Sequence, residues 1–163
     1  MKRKKKLING AALVALLIFV MYKDYKAKVQ KCKLDDLVHK QEEVLLVYEE
    51  WLALAMEGKK LSEYLIKNHF KTVGIYGLGR LGKHLYYDLK SSDVHIQCVI
   101  DNKYSESKKN FDEIPCYSVD DQIPDVDLYI VTVPAEAHQI KKTLFSKTNS
   151  AVESIQEIMS VCR

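Results

Sequence analysis

The chain has 163 residues, 47% of them hydrophobic and 29% charged, with no low-complexity tract and no internal repeat, which is enough for one domain with a real core. Its formal charge of +3 belongs to the start: removing Lys2, Arg3, Lys4, Lys5 and Lys6 from 25 basic residues leaves 20 against 22 acidic ones, so the composition gives no nucleic-acid-binding face. The cysteines, Cys32, Cys98, Cys116 and Cys162, form no C-x-x-C pair, and no His/Cys cluster has zinc-ligand spacing; a disulfide framework and a metal site are not expected.

Leu7 to Tyr22 is a run of sixteen residues without a charge. As a helix it would be about 24 Å long against a hydrocarbon core of about 30 Å, a gap that Lys6 and Lys23 can close by snorkelling. A cleavable signal peptide and a membrane-surface helix are the rival readings; the run ends in "VMYKDYKAK", with no A-x-A-like cleavage site. The expectation is an uncleaved single-pass anchor over residues 1–22. Basic residues flank it on both sides, so charge does not orient it; a nucleotide-binding domain behind it would place that domain in the cytoplasm. Residues 23–33 are a lysine-rich juxtamembrane connector able to meet anionic headgroups.

Residues 34–70 form a helical lead-in. Leu34, Leu37, Val38, Gln41, Leu45, Tyr48, Leu52 and Ala55 recur at three- and four-residue steps and predict an amphipathic helix stopping at Gly58, packed on the domain or on itself in a homodimer, with Trp51 in the packing. Leu61 to Lys67 is a short helix ended by Asn68 and His69. Residues 71–163 then alternate. Thr72–Tyr76 is a buried strand and "RLGKHLYYDLKSS" a helix with Leu81, Leu85 and Leu89 on one face. Val94–Asp101 is a strand, "NKYSESKKNFDE" a polar loop, and "IPCYS" a short strand in which Pro115 marks an edge or a strand start. "VDDQIPDV" is a turn or short helix and Asp127–Val133 a central strand. "PAEAHQIKKTLF" is a helix opened by Pro134, "SAVES" a strand, and "IQEIMSVC" a last helix. The alternation predicts an α/β domain with a parallel sheet of about five strands.

Gly77-Leu78-Gly79-Arg80-Leu81-Gly82 fits G-x-G-x-x-G between the first strand and its helix. That chemistry needs Gly77 for the tight turn, Gly79 for close approach of a phosphate and Gly82 for helix–strand packing, with the anion on the helix N-terminus. Asp101, with Asn102 beside it, ends the second strand, where a carboxylate can accept from a ribose diol; it opposes a 2′-phosphate, so NAD or a nucleoside diphosphate is preferred over NADP, an argument softened by Lys103, Lys108 and Lys109. Thr132 and Pro134, at the end of the central strand, are expected beside the same crevice. A turn occluded by Tyr76, Arg80 or Tyr104 would instead mark an interaction scaffold that has lost its ligand.

Over "VGIYGLGRLGKHLYYDLKSSDVHIQCVIDN" and "IPCYSVDDQIPDVDLYIVTVP" the chain resembles the small Rossmann-like domains of bacterial capsule and surface-polysaccharide loci. Some of these stand alone, some are fused to glycosyltransferases and related ones precede sugar acetyltransferases. The resemblance covers about residues 45–160. It implies a nucleotide or nucleotide-sugar site at Gly77, Gly79, Gly82 and Asp101, a glycosyltransferase as a partner and a cytoplasmic setting, without fixing a reaction. "GLGRLG" with Asp101 is also similar to the NAD- or ATP-binding regulatory domains of potassium-transport systems, which the loop before "IPCYS" fits less well.

No catalytic set is complete. "YSESK", Tyr104 to Lys108, fits Y-x-x-x-K but falls in a loop rather than on a helix. His84 and His138 are expected to be surface or packing residues, and no second domain to hold a substrate is expected, so a dehydrogenase acting alone is not the reading.

Overall fold

The structure, a computed structural model, describes the backbone of residues 2–103 and 110–162, and within them the side chains from Leu16 onward. The chain divides into two compact units, Met1–Gln41 and Glu42–Arg163. Helix α1 (Lys2–Met56) begins in the first and ends in the second, passing through residues 23–33 without a break. In the first unit Leu16, Phe19, Leu34, Leu37 and Val38 are exposed. Among the described residues no helix is long and apolar enough to cross a membrane. The expected anchor, Leu7–Tyr22, lies outside the described side chains over residues 7–15.

In the second unit α1 packs through Val44, Val47, Tyr48, Trp51 and Leu54. The expected face is corrected here: of its members in this unit only Tyr48 packs, and Leu45 and Leu52 are exposed. The helix ends as the sequence predicts. Gly58 takes φ +75°, the Lys59 N–H returns to the Leu54 carbonyl and the Gly58 N–H to that of Ala55, the paired bonds of a glycine-stopped terminus. Helix α2 (Leu61–Lys67) closes with the same pair of bonds, from Phe70 to Leu65 and from His69 to Ile66, but with His69 at φ 62° where glycine is the unstrained residue.

The rest is β1 (Thr72–Tyr76), α3 (Arg80–Leu89), β2 (His95–Ile100), β3 (Asn110–Phe111), β4 (Ile114–Tyr117), β5 (Leu128–Val131), a 3-10 turn (Pro134–Glu136) running into α4 (Ala137–Phe145), β6 (Ala151–Ser154) and α5 (Ile155–Cys162). The sheet order is β3-β4-β2-β1-β5-β6, parallel except for β3 on β4. Its strands alternate between two cores, as sheet geometry requires. Val73, Ile75, Leu128 and Ile130 face the end of α1, α2, α3 and α5. Cys98, Ile100, Tyr129 and Val131 face α4 and Ile123. The β1–β2 register skips Gln97, which puts Ile96 and Val99, three residues apart, into the same core. Helix α5 starts on a reciprocal cap: Glu157 accepts from the Ser154 N–H (2.7 Å) and its own N–H donates to Ser154 Oγ (3.2 Å).

The sheet has six strands rather than about five. The addition, β3, lies in the stretch predicted as polar loop. It turns into β4 through Asp112 and Glu113, at φ 48° and 74°, a two-residue turn without the glycine or asparagine that normally announces one. The Asp112 carboxylate compensates by accepting from Tyr86 Oη and Lys90 Nζ, both on or next to α3. Pro115 accordingly pairs with Asn110 near the start of β4, so of the two expected places, a sheet edge or a strand start, it takes the second. "VDDQIPDV" is turn and irregular chain, with no helix.

Candidate nucleotide site

Strand β1 has β2 on one side and β5 on the other, so the chain order reverses between β1 and β5, and the crevice lies beyond their carboxyl ends. The glycine turn occupies that point. Gly77 takes φ +91°, closed to other residues without strain, and its N–H extends the ladder to the Ile100 carbonyl (2.8 Å). A Cβ on Gly82 would stand 1.9 Å from the Gly77 carbonyl oxygen, so only glycine lets α3 meet the turn this closely. A Cβ on Gly79 would meet nothing within 4 Å. Gly79 and Arg80 are exposed. Gly79 caps α3 without a side-chain bond, and the first N–H with an intrahelical partner is that of Lys83, to the Gly79 carbonyl (3.1 Å). The N–H groups of Arg80, Leu81 and Gly82 therefore have no acceptor within the helix. Positive φ, close packing and open space fall on Gly77, Gly82 and Gly79, the division of labour that the motif requires.

The other expected site residues separate into two groups. Leu78 and Leu81 are 2% exposed, and their side chains belong to the core. Thr132, 5% exposed, lies beneath the turn, its hydroxyl directed at the Gly77 carbonyl (2.7 Å) and the Tyr76 carbonyl (3.0 Å). Asn102 Oδ1 accepts from Ser118 Oγ (3.1 Å) and the Val119 N–H (3.0 Å), tying the exit of β2 to the loop after β4. These residues shape the site. Pro134 opens the 3-10 turn after β5, half-buried at the crevice. Asp101 has both roles within reach: Oδ2 accepts the Leu78 N–H at 2.7 Å and Oδ1 the Lys103 N–H at 3.0 Å, which fixes the carboxylate against the glycine turn while it stays partly exposed.

The structure adds neighbours that the motif did not single out. The Tyr76 phenol is pushed above its ordinary range by burial, and further by the charges of Glu136, Asp101 and Asp120. These acids follow β5, β2 and β4, so the carboxyl edge of the sheet is acidic around Tyr76. Their signal in the sequence is position alone, since each follows soon after a strand. Tyr76 itself packs into the second core and does not cover Gly79. Tyr104 to Lys109 lie outside the described residues. His84 packs edge-on to Tyr48 at 5.2 Å between ring centroids, and His138 is exposed. A groove of about 570 Å³ between α1 and α3, walled by Tyr48, Trp51, Tyr87 and Asp88, lies on the outer side of α3.

No curated protein and no solved structure matches the chain. Residues 68–156, from the end of α2 to the start of α5, match the CoA binding domain family. The matched stretch contains the whole parallel sheet, the glycine turn and Asp101, and it is a Rossmann-like nucleotide-binding fold. With more than half of its length inside that match, and with the glycine turn built as the fold uses it, the chain belongs to the CoA binding domain family.

Proposed function

We propose that the second unit binds a nucleotide-type ligand, with a diphosphate over Gly79 on the N-terminus of α3 and a ribose against Asp101. The observation that carries this is the open space above Gly79 at the start of α3, whose first three N–H groups have no acceptor within the helix. Family membership supports a nucleotide- or CoA-type ligand. NAD and nucleotide sugars share the diphosphate and ribose. The unit works as a binding module. In the full reading, Leu7–Tyr22 anchors it to a membrane, the domain stands in the cytoplasm and it serves surface-polysaccharide assembly beside a glycosyltransferase. The uncharged run behind five basic residues supports the anchor, and the resemblance over residues 45–160 supports the process.

The test is a thermal-shift series on the full chain with NAD, ATP, coenzyme A and uridine diphosphate sugars. A ligand at about 100 times its Kd adds about 2.7 kcal/mol. One of them should raise the midpoint by several degrees, and Gly79→Val should remove the shift while leaving the unliganded midpoint within about 1 kcal/mol of the original. If none acts at millimolar concentration, the binding reading fails.

A further inference from the structure

The groove on the outer side of α3 contains none of the glycine turn, and the nucleotide reading makes no use of it. Its walls belong to the second unit alone: Tyr48 and Trp51 come from the end of α1, Tyr87 and Asp88 from α3. At about 570 Å³ it has the size of a small-molecule site, and such sites are typically aromatic and apolar with a few polar groups set among them. Tyr48, Trp51, Tyr87 and Leu52 supply the first, and the Asp88 carboxylate the second.

Asp88 is the anomaly. Buried side-chain oxygens are normally hydrogen-bonded. Asp88 Oδ2 is buried with no hydrogen-bond partner, and among the described residues no other buried side-chain nitrogen or oxygen is left in that state. Burial pushes its carboxyl above the ordinary range, and the charge of Lys60 opposes the push. Lys60 is exposed and gives Oδ2 no hydrogen bond. Arg80 acts by its charge on the Tyr48 phenol, which burial pushes up, and it too gives Oδ2 none. The carboxylate is therefore poorly solvated and lacks a donor, which costs stability. Its residue is only half-buried, so the carboxylate can be met from the groove. A donor carrying positive charge would complete it, and aromatic rings attract the same charge.

We infer that this groove is a second ligand site and takes a small organic cation: an ammonium, amidinium or guanidinium on an apolar body, its charge at Asp88 and its body against Trp51 and Tyr87. The inference stands independently of the nucleotide reading.

The experiment is titration of the full chain with benzamidine, benzamide and benzoate, followed by calorimetry and by the fluorescence of Trp51, the one tryptophan. The three share a shape and are cation, neutral molecule and anion at neutral pH. Benzamidinium should bind on the order of tenfold more tightly than benzamide, with benzoate weaker still, and should perturb Trp51. In Asp88→Asn, which keeps the shape, that advantage should fall toward one, while the unliganded midpoint stays at or above the parent's because an unpaired buried charge is gone. Tyr87→Ala, which removes an exposed ring, should weaken benzamidinium severalfold and leave the midpoint nearly unchanged. Equal binding of benzamidinium and benzamide overturns the cation reading and leaves an apolar surface of the kind that protein partners cover. An advantage that survives in Asp88→Asn overturns the assignment to Asp88. A midpoint of Asp88→Asn well below the parent's shows that the carboxylate serves the fold, and overturns the inference as well. Absence of binding by benzamidinium at tens of millimolar removes the site altogether.

Discussion

Gly82→Ala separates the packing role of the third glycine from the ligand role of the second. The added methyl would lie 1.9 Å from the Gly77 carbonyl oxygen and 2.9 Å from Thr132 Oγ1. Ordinary contact begins near 3.4 Å, so α3 and the turn must part by about 1.5 Å. The obstacle is backbone, which no rotamer change removes. Overpacking of this kind costs about 1–3 kcal/mol, and the helical preference of alanine over glycine returns up to about 1 kcal/mol. A net loss of about 1–2 kcal/mol lowers the midpoint of a unit this size by roughly 4–10 °C. Gly79→Ala is the control. Its methyl enters open space at an extended backbone, so the stability cost should stay below about 1 kcal/mol. Its methyl nevertheless fills the place of the ligand phosphate, so affinity should fall. The assay is thermal unfolding followed by the fluorescence of Trp51, the one tryptophan of the chain and part of the core of the second unit. If Gly82→Ala unfolds within a degree or so of the parent, or Gly79→Ala is the less stable of the two, this account of the turn is wrong.

The remaining predictions concern single contacts. Thr132→Val keeps the volume but removes the hydroxyl aimed at the Gly77 carbonyl; a loss of about 1–3 kcal/mol is expected in chemical denaturation, and an unchanged midpoint would show that the hydroxyl does not hold the turn. His69→Gly should stabilise by about 1 kcal/mol, because His69 stands at φ 62°; a variant less stable than the parent would refute the strain. Asp127 accepts the N–H groups of Lys71 and Thr72, both at 2.8 Å, and these bonds hold its carboxyl below the ordinary value of 3.8. A depressed folded pKa gives stability that is present above 3.8 and lost as the pH falls through the folded value, so Asp127→Asn should flatten the acid limb of the stability curve; identical acid limbs would exclude the staple. Burial pushes the Cys98 thiol up to about 11, whereas Cys32 is exposed, so in the folded chain a thiol reagent should modify Cys32 quickly and Cys98 only on unfolding, as peptide mapping would show.

What was legible in the sequence was local. The glycine spacing, the β-branched run before it and the leucines at 81, 85 and 89 identify β1, the turn and α3 with no knowledge of the remainder. The buried face of α1 was not legible, because two sets of residues on that helix share the three- and four-residue spacing. The set at 44, 47, 48, 51 and 54 packs, and the set through Leu45 and Leu52 does not; the choice belongs to α3 and the sheet, not to the helix. Strand β3 escaped because two residues make no pattern and its turn lacks glycine. Asp101 and Thr132 were legible only as residues at the ends of strands; their bonds to the turn span 23 and 55 residues, distances over which spacing carries no signal.

The joint of Gly77, Gly82 and Thr132 also bears on the time course of binding. The turn is held by a buried hydroxyl and by a helix packed against backbone, contacts made entirely within the chain. Within the glycine turn itself a ligand has no backbone to order before it docks, so this part of the entropic toll of assembling a binding surface is already met by the fold. Association should then be a single step, its observed rate rising linearly with ligand concentration without a plateau, and differences in affinity among ligands should appear in how long each stays.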